Sequence, residues 1–74
     1  MNDKLDKIFQ DVIGVAPDVD RATLIYGETA GWDSVAHMTL VAAIEESFDC
    51  MLDMDDILDM SDYNKVVEIM KKYA

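Results

Sequence analysis

The chain of 74 residues carries 16 Asp and Glu against 6 Lys and Arg, a formal charge of −10, and 51% of its residues are hydrophobic. That length allows one small domain, residues 1–74, with one modest core, and excludes a large enzyme with a deep cleft. Its hydrophobic fraction is too high for the acidity to signal disorder.

The placement of the charge says more than its total. Between Ala22 and Asn64 there is no Lys or Arg while ten acids fall there, and the flanks balance six acids against six bases. Such a stretch repels phosphate backbones and anionic lipid, so nucleic-acid and membrane partners are not expected, and it attracts basic protein surfaces. Cys50 is the single cysteine and cannot form an internal disulfide, so stability must come from packing. Met1-Asn2-Asp3-Lys4 leads straight into an amphipathic pattern rather than an apolar signal core, and no apolar run reaches the length of a membrane span. A cytoplasmic location and a monomer are expected.

From Asp3 to Ile13 the apolar residues Leu5, Ile8, Phe9, Val12 and Ile13 follow the stripe of a helix buried on one side. Asp3 can cap this first helix, and Gly14 and Pro17 close it. Next comes a long loop of about 19 residues, Val15 to Asp33, containing Pro17, Gly27 and Gly31, with Leu24, Ile25 and Tyr26 as candidate anchors. A second helix is predicted from Ser34 to Phe48, with Asp33 or Ser34 as N-cap. Met54 to Leu58 reads as a short helical turn or two capped by Asp53. The last helix, Asp62 to about Lys72, places Tyr63, Val66, Val67 and Met70 on one face, with Lys71 and Lys72 where the helix dipole favours cations. No alternating strand pattern or repeat competes, so the fold class is all-α: a bundle of three main helices plus one short helix.

At about 100° per residue the second helix sorts into two arcs. Ala36, Leu40, Ala43, Ile44 and Phe48 form the core side. The opposite arc carries Thr39, Glu45, Glu46 and Asp49, with Val35, Met38 and Ala42 among them. Apolar residues ringed by carboxylates form the centre and rim of a docking face, although Val35 and Met38 packed beneath the long loop would give the same pattern. At the start of this helix, Gly31-Trp32-Asp33-Ser34 presents a hydroxyl beside free backbone N–H groups and the positive end of the dipole, a place suited to a phosphodiester. Position alone favours an ordinary Ser or Asp cap, because such caps are common.

Asp33-Ser34-Val35 resembles the Asp-Ser-Leu signature of acyl carrier proteins, and the likeness extends well beyond the triplet. Glu45-Glu46-Ser47-Phe48-Asp49 follows Ser34 at that family's spacing, then come the acidic connection Asp53 to Asp59 and Met60-Ser61-Asp62-Tyr63 before the last helix. The resemblance implies an acyl-carrier-like bundle and no catalysis by the chain itself. It implies that a phosphopantetheinyl transferase moves 4′-phosphopantetheine from coenzyme A to Ser34, with Asp33 helping recognition. The arm's thiol would then carry acyl groups as thioesters between a loading ligase or transferase and synthase-type enzymes of fatty-acid, polyketide or other specialised biosynthesis. Basic surfaces on those enzymes would meet Val35, Met38, Thr39, Ala42, Glu45, Glu46 and Asp49. Aminoacyl or peptidyl carriage, or an unmodified acidic interaction module, are the alternatives. Ala36 and Thr39 stand where carriers of the central fatty-acid pathway usually have acids, and Trp-Asp-Ser-x-x-His resembles stand-alone carriers of specialised pathways, including polyketide, peptide or surface-polysaccharide assembly.

His37 reads as a hydrogen-bonded packing residue or, more sharply, as lining for the arm or acyl chain together with Leu40 and Ile57. Cys50 lacks a second member of any triad and reads as a small apolar filler. Asp53-Met54-Asp55-Asp56-Ile57 fails as a calcium loop, because Ile57 and Leu58 fall where ligand oxygen and glycine belong, so no specific metal site is expected. Diffuse divalent-cation binding could still relieve repulsion there. Of the six methionines, Met38, Met51, Met54, Met60 and Met70 are by default core, and soft enough to let helices separate.

Overall fold

A computed structural model describes residues 2–73; Met1, with which the N-terminal reading began, and Ala74 lie outside the described residues. Four α-helices follow in chain order: α1 Asn2–Val12, α2 Ser34–Phe48, α3 Met54–Asp59 and α4 Tyr63–Met70, with a 3₁₀ turn Arg21–Thr23 inside the long loop. The all-α bundle with one short helix is the fold that the sequence predicted.

Helix α1 begins one residue before the predicted start, so Asp3 lies within its first turn, where its charge faces the positive end of the dipole, rather than at a cap. At the other end the Ile13 and Gly14 N–H groups both reach the Phe9 carbonyl, at 2.9 and 3.1 Å. Leu5, Ile8, Phe9 and Ile13 are buried against Leu40, Val41 and Ile44 of α2 and Val66, Ile69 and Met70 of α4. Burial of each such side chain contributes roughly 1.5–3 kcal/mol, and this shared core is what holds helices that would be marginal in isolation. Phe9 sits at its centre, meeting Trp32 and Tyr63 edge-on with ring centroids 5.1 Å apart in both pairs.

The long loop is anchored differently from the sequence expectation. Leu24 is buried, but Ile25 and Tyr26 are each 38% exposed and are held through their backbone. Ile25 forms an isolated antiparallel bridge with Asp62, in which the Tyr26 N–H donates to the Ser61 carbonyl at 2.9 Å and the Tyr63 N–H to the Leu24 carbonyl at 3.1 Å. Trp32, 1% exposed, supplies the side-chain anchor. Gly31 lets it approach: its φ is +89°, and a Cβ there would lie 2.5 Å from the Ile13 carbonyl oxygen. Arg21 adds an ion pair to Asp6 at 2.8 Å, and Asp6 also accepts the Tyr63 hydroxyl hydrogen bond.

Two further expectations change. Asp53 stands at the N-cap position of α3 without a side-chain cap bond, and α3 runs one residue past Leu58. This six-residue helix is held by its neighbours instead. Asp56 turns inward to Lys72, at 2.7 Å, and to the Tyr73 hydroxyl, while Tyr73 Oη accepts the Asp53 N–H at 3.2 Å. Helix α4 stops at Met70 and residues 71–73 form turns, so Lys72 serves as a partner for α3 rather than as a dipole charge. Met60 and Met70 are core, but Met38, Met51 and Met54 are exposed, because helical spacing alone cannot say which face of a short or mixed helix meets the bundle.

Candidate functional site

Helix α2 opens with Asp33 in extended conformation as N-cap, its carboxylate accepting the Ala36 N–H at 2.9 Å. A cap of this kind stabilises by about 1 kcal/mol and fixes where the helix starts. Ser34 therefore occupies the first helical position and is exposed, with the unpaired N–H groups of the first turn and the positive end of a 15-residue helix beside it. Its Oγ lies 3.0 Å from the hydroxyl of Tyr26. A solvent-facing hydroxyl next to helix-terminal N–H donors is what an esterified phosphate requires, and the residues present fit such a group.

Behind Ser34 the site is buried and hydrogen-bonded. Trp32 donates its indole N–H to Nδ1 of His37 at 3.0 Å, and because indole can only donate, the imidazole proton resides on Nε2 and is given to the Ile57 carbonyl, also at 3.0 Å. His37 is thus buried with both nitrogens bonded and joins the loop, α2 and α3. Tyr26 packs against it in a tilted arrangement, with ring centroids 4.8 Å apart and an interplanar angle of 30°. Leu40 is wholly buried and Ile57 half-buried, so any chain passing beside His37, Leu40 and Ile57 requires α2 and α3 to part.

Val35 is 78% and Met38 57% exposed, and Thr39, Ala42 and Glu46 accompany them at the surface, so none of these packs beneath the loop. Thr39 keeps its hydroxyl on the Val35 carbonyl at 3.2 Å. Two acids of this group do other things as well. Glu45 is half-buried and accepts the Leu52 N–H at 2.9 Å, bracing the turn after the helix. Asp49 is the left-handed C-cap, φ 51°, with its N–H on the Glu45 carbonyl. Cys50 is half-buried, and burial, then Glu45 and Asp49, push its thiol above the usual range. Among the described residues, no three His, Cys, Asp or Glu side chains are grouped to hold a metal ion, and no helix is long and apolar enough to cross a membrane.

The family model described as the phosphopantetheine attachment site matches residues 3–70, nearly the whole chain. The chain belongs to the phosphopantetheine-attachment-site family. No individual curated protein matches it. As a member of that family the chain is a carrier protein whose cofactor is covalent 4′-phosphopantetheine, and carriers of this kind work with phosphopantetheinyl transferases and biosynthetic enzymes.

Sequence reasoning overlooked two parts of this carrier: Tyr26 beside the Ser34 oxygen, and the pairing of Asp56 with Lys72 and Tyr73. Neither contact follows a helical period. The first crosses an irregular loop and the second joins α3 to the turns after α4, so only the folded backbone brings these groups together.

Proposed function

We propose that Ser34 is the attachment residue, that residues 1–74 act as one carrier domain, and that the cargo is an acyl group of a specialised biosynthetic pathway. The observation that carries this is the exposed Ser34 hydroxyl at the first position of α2, directly after the Asp33 cap and inside the matched region 3–70. When bound, the arm supplies a thiol that holds a carboxylic acid as an activated thioester. The chain supplies the rest of the site: N–H groups and a helix dipole for the phosphate, Asp33 to fix the helix start, and a surface for partner enzymes.

Charge placement on α2 supports that surface. Its last turn contains no base, yet Glu45, Glu46 and Asp49 gather at the end where the dipole is already negative. Each such carboxylate costs a few tenths of a kcal/mol in stability, a cost that docking on a basic enzyme surface would offset. Val35, Met38 and Ala42 would provide the apolar centre, and Thr39 part of the rim. The substitution of Ala36 and Thr39 for the usual acids favours enzymes of a dedicated pathway, in the cytoplasm, over those of central fatty-acid synthesis.

Incubation with coenzyme A and a broad-specificity transferase should add one phosphopantetheine by intact mass, and Ser34→Ala should abolish the addition. No mass gain in the wild type would replace this reading with that of an unmodified acidic interaction module.

A further inference from the structure

The Tyr26 hydroxyl lies within hydrogen-bond distance of the Ser34 oxygen, 3.0 Å, and its loop is tied down by several hydrogen bonds. The Tyr26 N–H is held by the Ser61 carbonyl at 2.9 Å, the following Gly27 N–H by the Trp32 carbonyl at 2.9 Å, and the Tyr26 ring by contact with His37, which is itself bonded at both nitrogens. The phenol is therefore presented to Ser34 by a hydrogen-bonded segment of the loop. Partial exposure of the side chain, 38%, leaves room for a larger group beside it.

We propose that Tyr26 is a positioning residue for phosphopantetheine attachment: its hydroxyl orients Ser34 Oγ for transfer and afterwards donates a hydrogen bond to the phosphodiester. This rests on the assignment of Ser34 made above. In the transfer, Ser34 Oγ attacks the pantetheine-bearing phosphorus of coenzyme A. The Oγ–P bond forms, the bond from that phosphorus to adenosine 3′,5′-bisphosphate breaks, and the serine proton passes to a base of the transferase. While the serine is free either hydroxyl can donate. With Tyr26 donating, the serine proton is directed away from Tyr26 and toward the approaching base. Once Oγ is esterified it has no proton left, and the phosphodiester offers only acceptors. Tyr26 must then be the donor, and a charge-assisted bond to an anion is stronger than the one it replaces.

Tyr26→Phe keeps the ring on His37 and removes only the hydroxyl. Transfer to this variant is expected to fall roughly tenfold in kcat with KM for the carrier within about twofold, the loss of one charge-assisted bond in the transition state. The ³¹P resonance of the modified variant should move away from that of the modified wild type toward that of an unfolded phosphopantetheinyl-serine peptide. In wild type with ¹³C-labelled tyrosine, the Tyr26 Cζ resonance should shift on modification while those of Tyr63 and Tyr73 stay. This last measurement needs no variant and decides the matter if Tyr26→Phe loses helicity. A wild type modified at Ser34 with unchanged Tyr26 Cζ, or a folded Tyr26→Phe with wild-type kcat and ³¹P shift, overturns the role of Tyr26 and leaves Ser34 standing. No modification of the wild type overturns both.

Discussion

Trp32 and His37 form one buried unit, with the indole N–H on Nδ1 at 3.0 Å and the two rings stacked 22° from parallel. Trp32 lies in the loop and His37 in α2, and the second imidazole nitrogen reaches the Ile57 carbonyl of α3. This pair is therefore the joint at which three segments behind Ser34 are fixed to one another.

Replacing His37 with Ala leaves the Trp32 N–H and the Ile57 carbonyl without their partner and opens a cavity. Urea unfolding should show a loss of about 2–4 kcal/mol. Amides of residues 54–59 should exchange faster as α3 loosens. A loss below about 0.5 kcal/mol with unchanged exchange would contradict the joint.

Gly31→Ala should be among the most damaging single-methyl additions in the chain. The residue sits at φ +89°, and its new Cβ would press on the Ile13 carbonyl oxygen, which is backbone and cannot swing aside. Left-handed strain with this overlap should lower stability by about 2–4 kcal/mol. The same substitution at Gly27, φ +83° with open space around it, should show the strain alone and cost less; equal losses at both would refute the clash.

The Asp56 carboxyl is held below the usual carboxylate range first by its hydrogen bond from Lys72 and then by that from Tyr73. A depressed pKa in the fold means that the unfolded chain takes up the proton first. The contribution is therefore complete above the ordinary carboxylate pKa of about 4 and is lost as pH falls from there through the lowered value. Asp56→Asn should flatten that part of the acid unfolding curve, and salt should weaken it, since the Lys72 side chain is largely exposed. A curve identical to that of the wild type would dissociate Asp56 from acid stability.

At the alkaline end the sign reverses. Tyr63 is pushed up to about 12, chiefly by burial and then by its hydrogen bond to Asp6. Between about pH 10, where an unfolded tyrosine ionises, and pH 12 the folded chain keeps a proton that the unfolded chain has lost, so stability should fall with rising pH. Spectrophotometric titration should show Tyr63 ionising near pH 12 and Tyr73, raised first by its hydrogen bond to Asp56, also above the ordinary range, and Tyr63→Phe should remove the step near pH 12. A step near pH 12 that survives in Tyr63→Phe would belong to another tyrosine.

Much of the carrier was legible in the sequence because its cues are local. Apolar spacing gave α1, α2 and α4 to within a few residues, Asp33 stood where a cap belongs, and the Asp33-Ser34 dipeptide with its downstream acids pointed to the carrier family that the family model shows. Helical period and cap chemistry act within one turn, so a linear reading captures them. It was weaker where a residue's fate depends on a distant neighbour. Met38, Met51 and Met54 have core chemistry but lie at the surface, Ile25 and Tyr26 are held by backbone rather than by burial, and Asp53 caps nothing with its side chain.

The sequence by itself determined the charge of −10 and its confinement between Ala22 and Asn64, the helical order, and the likeness to a carrier family over nearly the whole chain. Only the tertiary structure decided how that charge is used. It brings Lys72 from the flank onto Asp56 and spends Glu45 partly on the Leu52 N–H, while Glu46 and Asp49 stay at the surface. It also sets the Tyr26 phenol against the Ser34 oxygen across a loop with no periodic signal. Helix formation is settled by neighbours within a turn, whereas ion pairs and buried hydrogen bonds need a partner that folding alone delivers, and their strength depends on the solvent that folding excludes.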